Sequence, residues 1–298
     1  MSERNFVGYG ANPPNFTWPN GSRLAVNFVL NYEEGAERNI LDGDSDRETL
    51  VEAHYSVPDG DRELFAESTF EYGSRVGVWR VLNALGDHDI VPTIFASALA
   101  LQRNPDVASI FRKLGCDIVG HGYRWIPHAS LSVEQQRDDI ELCIGALREL
   151  TGRAVNGWFT RPPNTVHTRR LLAEAGLWYD SGSVSDDLPY YELVDGEPFL
   201  VVPYSLDVND TKFYKGQFFT GRDFSAYAID GFDVMLRQSA ARPAVMSIGL
   251  HSRIIGRPSR LKGLLDLLSH ISAHRDKVWI TGRDAIAEFW RHEFPPGA

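Results

Sequence analysis

Three short stretches of this 298-residue chain place ionisable side chains where an apolar run gives out. Asn31-Tyr32-Glu33-Glu34-Gly35 follows LAVNFVL, His121-Gly122-Tyr123-Arg124-Trp125 follows CDIVG, and His251-Ser252-Arg253 follows AVMSIGL. Adjacent carboxylates ending a buried strand raise each other's pKa, which suits a general base or a cation ligand. The competing reading of Glu33-Glu34 is a solvated acidic turn. Histidine serves as acid, base or metal ligand, although a single histidine is more often a hydrogen-bonded structural residue. Arg161 follows GWFT, and Asp186-Asp187 follow LWYDSGS. Two glutamates, two histidines and an arginine ending separate strands point to one converging site more than to chance. Where a second metal ligand would be sought after His121, the chain has Trp125. Its indole N–H is a donor with no lone pair for a metal.

Convergence of this kind needs a scaffold that lines up strand ends. The runs Leu24–Leu30, Val91–Ser97, Cys116–Gly120, Gly157–Thr160, Phe199–Tyr204, Ala244–Leu250 and Lys277–Thr281 are of strand length and rich in β-branched or aromatic residues. Between them lie amphipathic helices. Ser132 and Gln135 form a capping box before the stripe Ile140, Cys143, Ile144, Leu147 and Leu150, which Thr151-Gly152 ends. Pro258 opens a second helix with Leu261, Leu264, Leu265, Leu268 and Ile271 on one face. Repeated βα units with continuous apolar strands predict an α/β fold, a single barrel of about seven parallel strands, with reacting groups where strands end. One domain over residues 1–298 is expected, with an N-terminal extension at about 1–22. The least regular parts are the first twenty or so residues, Asp42 to Glu71, and Asp186 to Gly221, which are expected to cover the barrel mouth or build subunit contacts.

Bulk properties exclude some functions. A formal charge of −10 and a pI near 5.4 argue against a nucleic-acid partner, leaving a small molecule or another protein. Cys116 and Cys143 sit in apolar segments outside any CxxC pair, so buried free thiols are expected rather than disulfides or structural zinc. The N-terminus MSERNFVGYGANPP lacks the basic start and apolar run of a signal peptide, and no uninterrupted apolar run approaches the ~18 residues of a membrane span. A cytoplasmic location is expected.

These segments resemble the polysaccharide deacetylase superfamily (carbohydrate esterase 4, NodB-like), whose members share a distorted (β/α) barrel and five short motifs. NYEEG takes the place of the first motif, with Glu33 at the base position and Glu34 at the metal-ligand position. His121 fills the first histidine place of the second motif and Trp125 the second. Arg161 resembles the third-motif arginine, Asp180 to Asp187 the fourth motif, and LHSRIIG supplies His251 of the fifth. The resemblance is closer to the metal-independent allantoinase branch, the PuuE type, and runs along nearly the whole chain. It is carried by VGYGANPP, VNFVLNYEEGAERNIL, ESTFEYGSRVGVWR, HGYRW, DDLPYY, VPYSLDVNDTKF and SIGLHSRIIGRPSRL. Thr160-Arg161-Pro162-Pro163 and Ser181-Gly182-Ser183 depart from that branch in loops that would border the substrate. The resemblance therefore implies fold and reaction class better than the identity of the ring, and it implies a homotetramer.

The residues themselves frame the chemistry. A zinc-type hydrolase needs at least three protein ligands and an open position; Glu34 and His121 alone would hold a divalent ion such as zinc weakly, so no cofactor is expected. His128 is a possible substitute ligand at a spacing that matches no familiar pattern. Without a metal, Glu33 or Glu34 would take a proton from the attacking water, His251 would protonate the leaving ring nitrogen, and His121 would place the water or stabilise the oxyanion. Trp125, Arg161, Asp187 and Arg257 are the candidate substrate-binding residues, with a role at a helix start as the alternative for Arg257 and simple packing for Trp125. Glu67 and Glu71 form a further acidic pair that would either reach the site or cap a helix beginning near Ser74. The expected activity is hydrolysis of the C–N bond in a small cyclic amide, allantoin or a related hydantoin or imide. The alternatives are a metal-dependent N-deacetylase of sugar polymers and a catalytically inactive barrel used for binding.

Overall fold

In a computed structural model describing residues 4–53 and 55–296, the apolar runs become the staves of a distorted barrel. Its strands are β1 (Leu24–Tyr32), β2 (Thr93–Ala96), β3 (Ile118–Gly120), β4 (Val155–Trp158), β5 (Tyr179–Asp180), β6 (Tyr190–Val194), β7 (Glu197–Val201), β8 (Val208–Asn209), β9 (Ala244–His251) and β10 (Val278–Ile280). They form one sheet in the order β6-β7-β5-β4-β3-β2-β1-β9-β8, with β10 also on β1. Every pairing is parallel except the β6–β7 hairpin. All seven expected runs are strands, but the sheet has ten among the described residues, not about seven. The additions β5 and β8 are two residues long, too short for any periodicity to register, and β6 is a partly exposed hairpin arm.

Alternation along β1 explains where its carboxylates go. Leu24, Val26, Phe28, Leu30 and Tyr32 face the layer between sheet and helices. Ala25 and Val29 face the barrel interior with Phe95, Val119 and Tyr204. Side chains alternate faces with period two, so Glu33 continues the interior row and Glu34 the outer one. The helices hold this sheet closed as their stripes predict: Ser132 and Gln135 cap Val133–Thr151 reciprocally, Gly152 ends it in a left-handed conformation, and Pro258 opens Pro258–Ser272. Each large apolar side chain buried in that layer contributes about 1.5–3 kcal/mol.

The irregular segments divide between the two ends of the barrel. Phe16 and Trp18 of the N-terminal extension pack on Trp279, Phe289 and Trp290, sealing the end where strands begin. The acidic segment instead lies over the strand ends. Asp42 pairs with Arg103, Asp44 with Arg124 at 2.6 Å, and Glu48 with Arg161 at 2.5 Å. Its last part is helical, since Leu64–Tyr72 is a helix capped by the Glu63 carboxylate. That helix runs through a π-wound turn, Gly73–Gly77, into Val78–Gly86.

This wound turn presses directly on the short helix Ser252–Ile255 that follows β9. A Cβ on Gly77 would stand 2.1 Å from the Ser252 carbonyl oxygen, and one on Gly73 2.6 Å from Glu34 Cγ and 2.9 Å from Arg253 Cβ. Glycine at both positions lets backbone meet backbone, which locks the chain after His251 against Glu34. π-wound turns of this kind are concentrated at functional sites.

Candidate active site

Glu33, His121 and His251 meet at the mouth, drawn from the ends of β1, β3 and β9. Glu33 Oε1 is 3.1 Å from His121 Nε2 and 3.6 Å from His251 Nε2. These groups and Glu34 are 1–5% exposed. Gly122, at φ +93°, turns the chain back after His121; a Cβ there would lie 2.4 Å from the Arg124 carbonyl.

The hydrogen bonds assign the His121 ring. Nδ1 is 2.5 Å from the Phe159 carbonyl, which can only accept, so Nδ1 carries the proton and Nε2 the lone pair. The Trp125 indole N–H donates to that Nε2 at 3.1 Å. Glu33 addresses the same nitrogen, so the two contacts are alternatives: neutral His121 accepts from Trp125, and doubly protonated His121 donates to Glu33.

His251 belongs to a different chain of contacts. Its Nδ1 donates to Asp210 Oδ1 at 2.6 Å, while Asp210 Oδ2 accepts from the backbone N–H groups of His251 at 2.7 Å and Ile255 at 3.2 Å. Burial alone would lower the pKa of His251, but Asp210 and Glu33 outweigh it and push the ring up to about 9. Asp210 fixes the tautomer, so Nε2–H points towards Glu33.

The two glutamates are in different states. Burial would raise Glu33, yet Arg253 and His251 beside it hold its carboxyl well below the usual range. Arg253 Nη1 is 2.7 Å from Glu33 Oε2. Burial prevails at Glu34 and raises it. Its oxygens accept from the Glu33 N–H at 3.0 Å and the Arg253 N–H at 3.1 Å, joining the two loops rather than facing the mouth.

These contacts also decide whether the site fits a divalent metal. Trp125 donates to the nitrogen lone pair that His121 would offer, and Glu34 is occupied by two backbone donors and Arg253. Among the described residues no three His, Cys, Asp or Glu side chains are grouped so as to hold a metal ion. The donor set does not fit the group.

The other expected site residues divide between the cluster and its surroundings. Trp125 walls the cluster, with the Arg161 guanidinium stacked 3.7 Å over its ring. Arg161 spends Nη1 on Glu48 and, at 2.9 Å, on the Trp125 carbonyl, so it anchors the covering segment. Asp187 is misplaced by the sequence reading: its carbonyl accepts from the Val245 N–H at the start of β9, and the rise from Val245 to His251 is about 20 Å at ~3.3 Å per residue. Arg257 precedes the Pro258 helix without a capping bond from its side chain and stacks 3.6 Å over Tyr72. His128 pairs with Asp139 at 3.1 Å, away from His121. Glu67 pairs with Arg62 and Glu71 with Arg75, outside the cluster. Sequence reasoning missed Asp210 and Arg253. Asp210 follows a two-residue strand with no usable pattern, whereas Arg253 stood in plain view two residues past His251.

Comparison with known proteins agrees with this architecture. The family model for polysaccharide deacetylase matches residues 61–178. A putative polysaccharide deacetylase of Schizosaccharomyces pombe (strain 972) is 36% identical over 93% of both chains. Among solved structures, PuuE allantoinase superposes with TM-score 0.93 at 44% identity over 99% of each chain. A probable polysaccharide deacetylase from Pseudomonas aeruginosa PAO1 superposes equally well, TM-score 0.93, at 42% identity over 99% of each chain. The chain belongs to the polysaccharide deacetylase (carbohydrate esterase 4, NodB) family of hydrolases. No helix among the described residues is long and apolar enough to cross a membrane.

Proposed function

We propose that this protein hydrolyses the C–N bond of a small cyclic amide, an allantoin-like hydantoin or a related imide, without a metal. The observation that carries the reading is the Trp125 indole N–H bonded to His121 Nε2, which turns the metal-ligand place of the family motif into part of an organic acid–base site. Glu33 accepts a proton from water as the water oxygen attacks the ring carbonyl. His121, its ring nitrogens held by the Phe159 carbonyl and Trp125, walls that water beside Glu33. His251, protonated at neutral pH and held by Asp210, gives its Nε2 proton to the ring nitrogen as the C–N bond breaks. The product is the open-chain acid. Enclosure supports a small substrate, because a sugar polymer needs an open groove and these side chains are almost fully covered. The likeness to PuuE allantoinase supports the ring, and the equal likeness to a probable deacetylase makes substrate the quantity to test.

Exhaustive chelation, checked by elemental analysis, is expected to leave the turnover of allantoin, hydantoin or succinimide unchanged, and their ranking names the ring. Activity that disappears on chelation, returns with zinc and is greatest on an N-acetylated chito-oligosaccharide replaces this reading with the deacetylase. Inertness towards every one of these substrates favours the binding barrel.

A cytoplasmic homotetramer belongs to the same proposal. Phe6, Val7, Val184 and Phe219 are exposed apolar side chains that would support subunit contacts. Sedimentation of a monomer at micromolar concentration removes that part.

A further inference from the structure

Two arginines among the described residues are fully buried, at 0% exposure, and they are treated oppositely by their surroundings. Arg283 inside the barrel donates Nε to Ser181 at 2.7 Å, Nη1 to Asn27 at 3.1 Å and Ser247 at 3.2 Å, and Nη2 to the Val202 carbonyl at 2.9 Å. Arg253 at the mouth leaves Nε and Nη2 without an acceptor among the described residues. Its Nη1 reaches Glu33 Oε2 at 2.7 Å, a single contact and not a fork. A structural arginine–carboxylate pair normally closes as a two-bond fork. A buried donor left without an acceptor is costly, so a group of this kind is stable only where something else compensates, and useful where an incoming acceptor completes it.

The position of Arg253 is tightly defined. Its N–H is bonded to Glu34, Gly73 leaves no room beside its Cβ, and its guanidinium lies 4.6 Å over Phe70 and 5.0 Å over Trp125. Those rings fix the plane of the fork beside the carboxylate that addresses both histidines. A guanidinium offers two parallel N–H groups to a carbonyl or oxyanion, and pre-aligned donors at developing negative charge are the strongest single contribution an enclosed site makes.

We propose that Arg253 binds the substrate carbonyl and stabilises the oxyanion formed when water adds to it, the electrophilic task a metal ion performs in metal-dependent hydrolases. This rests on the amidohydrolase reading above. The carbonyl oxygen meets the donors that Glu33 leaves open, and Glu33 Oε1, on the side of both histidines, takes the proton of the attacking water.

Arg253→Lys keeps the charge between Glu33 and Glu34 but loses the fork; Arg253→Ala opens space for an added guanidinium ion. Both are assayed against hydantoin, with circular dichroism as the check on folding. The expected result is a fall in kcat of about 10²–10³ in the lysine variant, the size of a lost oxyanion donor, with little change in KM, and partial recovery of the alanine variant by millimolar guanidinium but not by ammonium. If Arg253 only neutralises the carboxylates, lysine restores the rate to within about threefold and the proposal falls while the cyclic-amide reading stands. Should Arg253→Ala fail to fold, the lysine variant alone decides. If the wild type opens no ring but cleaves the N-acetylated chito-oligosaccharide, the cyclic-amide reading falls, and the same variants on that acetamide carbonyl test Arg253 independently. Inertness of the wild type on both overturns both.

Discussion

His251→Ala is expected to lower kcat for ring opening by about 10²–10⁴, the usual worth of a positioned acid, without unfolding the protein. The more informative change is Asp210→Asn. In the wild type the imidazolium is maintained up to about 9, so activity that needs it holds through neutral pH and falls above that value. Asparagine removes the charge opposite Nδ1, and the alkaline fall is expected to move down towards the ordinary histidine range, with the maximal rate at acid pH much less affected. Because the folded pKa lies above the unfolded one, the same contact contributes stability that is fully present below about 6.5 and is lost as pH climbs through about 9. Rate–pH profiles of the three proteins, with the His251 ring followed by NMR, check this. An alkaline limb that stays where it was in Asp210→Asn, or near-normal kcat in His251→Ala, removes the acid from the mechanism.

Glu33→Gln should have an equally large effect for a second reason. It removes the proposed base, at about 10²–10⁴ in kcat, and it also leaves the buried Arg253 with Glu34 alone, 3.5 Å away. Removing one partner of a buried ion pair costs about 3–5 kcal/mol, so the kinetic comparison belongs at a temperature where circular dichroism shows the variant folded. Glu33 sits below the usual carboxylate range in the folded state, so its stabilisation is present above about 4.5 and is lost as acid titrates it. Glu34→Gln is expected to be milder in rate, because that side chain joins two loops and does not reach either histidine. Single-turnover rates for both variants settle the division: abolished chemistry in Glu34→Gln with Glu33→Gln near normal would exchange their roles.

How much of this was legible in the chain depended on range. The long apolar strands and the capped helices are local patterns of period two or near 3.6, and each signals itself within about a dozen residues. The polar residues at the ends of those strands were therefore also visible, and Glu33, His121 and His251 do meet. The short β5 and β8 carry no period of their own, and they exist because neighbouring strands hold a place for them. Asp210 went unseen with β8, since an acid after a two-residue strand looks like any loop aspartate. Asp187 shows the opposite error: it is an acid near a strand, but the chain beyond β5 runs towards the barrel's closed end before turning into the hairpin.

By itself the sequence determined the residue types at the mouth and the absence of a lone pair at Trp125. Only the tertiary structure decided which nitrogen of His121 carries its proton, that Asp210 stands behind His251, and that Arg253 lies buried with open donors while Arg283 does not. Those are properties of partners brought together across about 40 to 220 residues of chain, where a hydrogen bond depends on tenths of an ångström that no local spacing records.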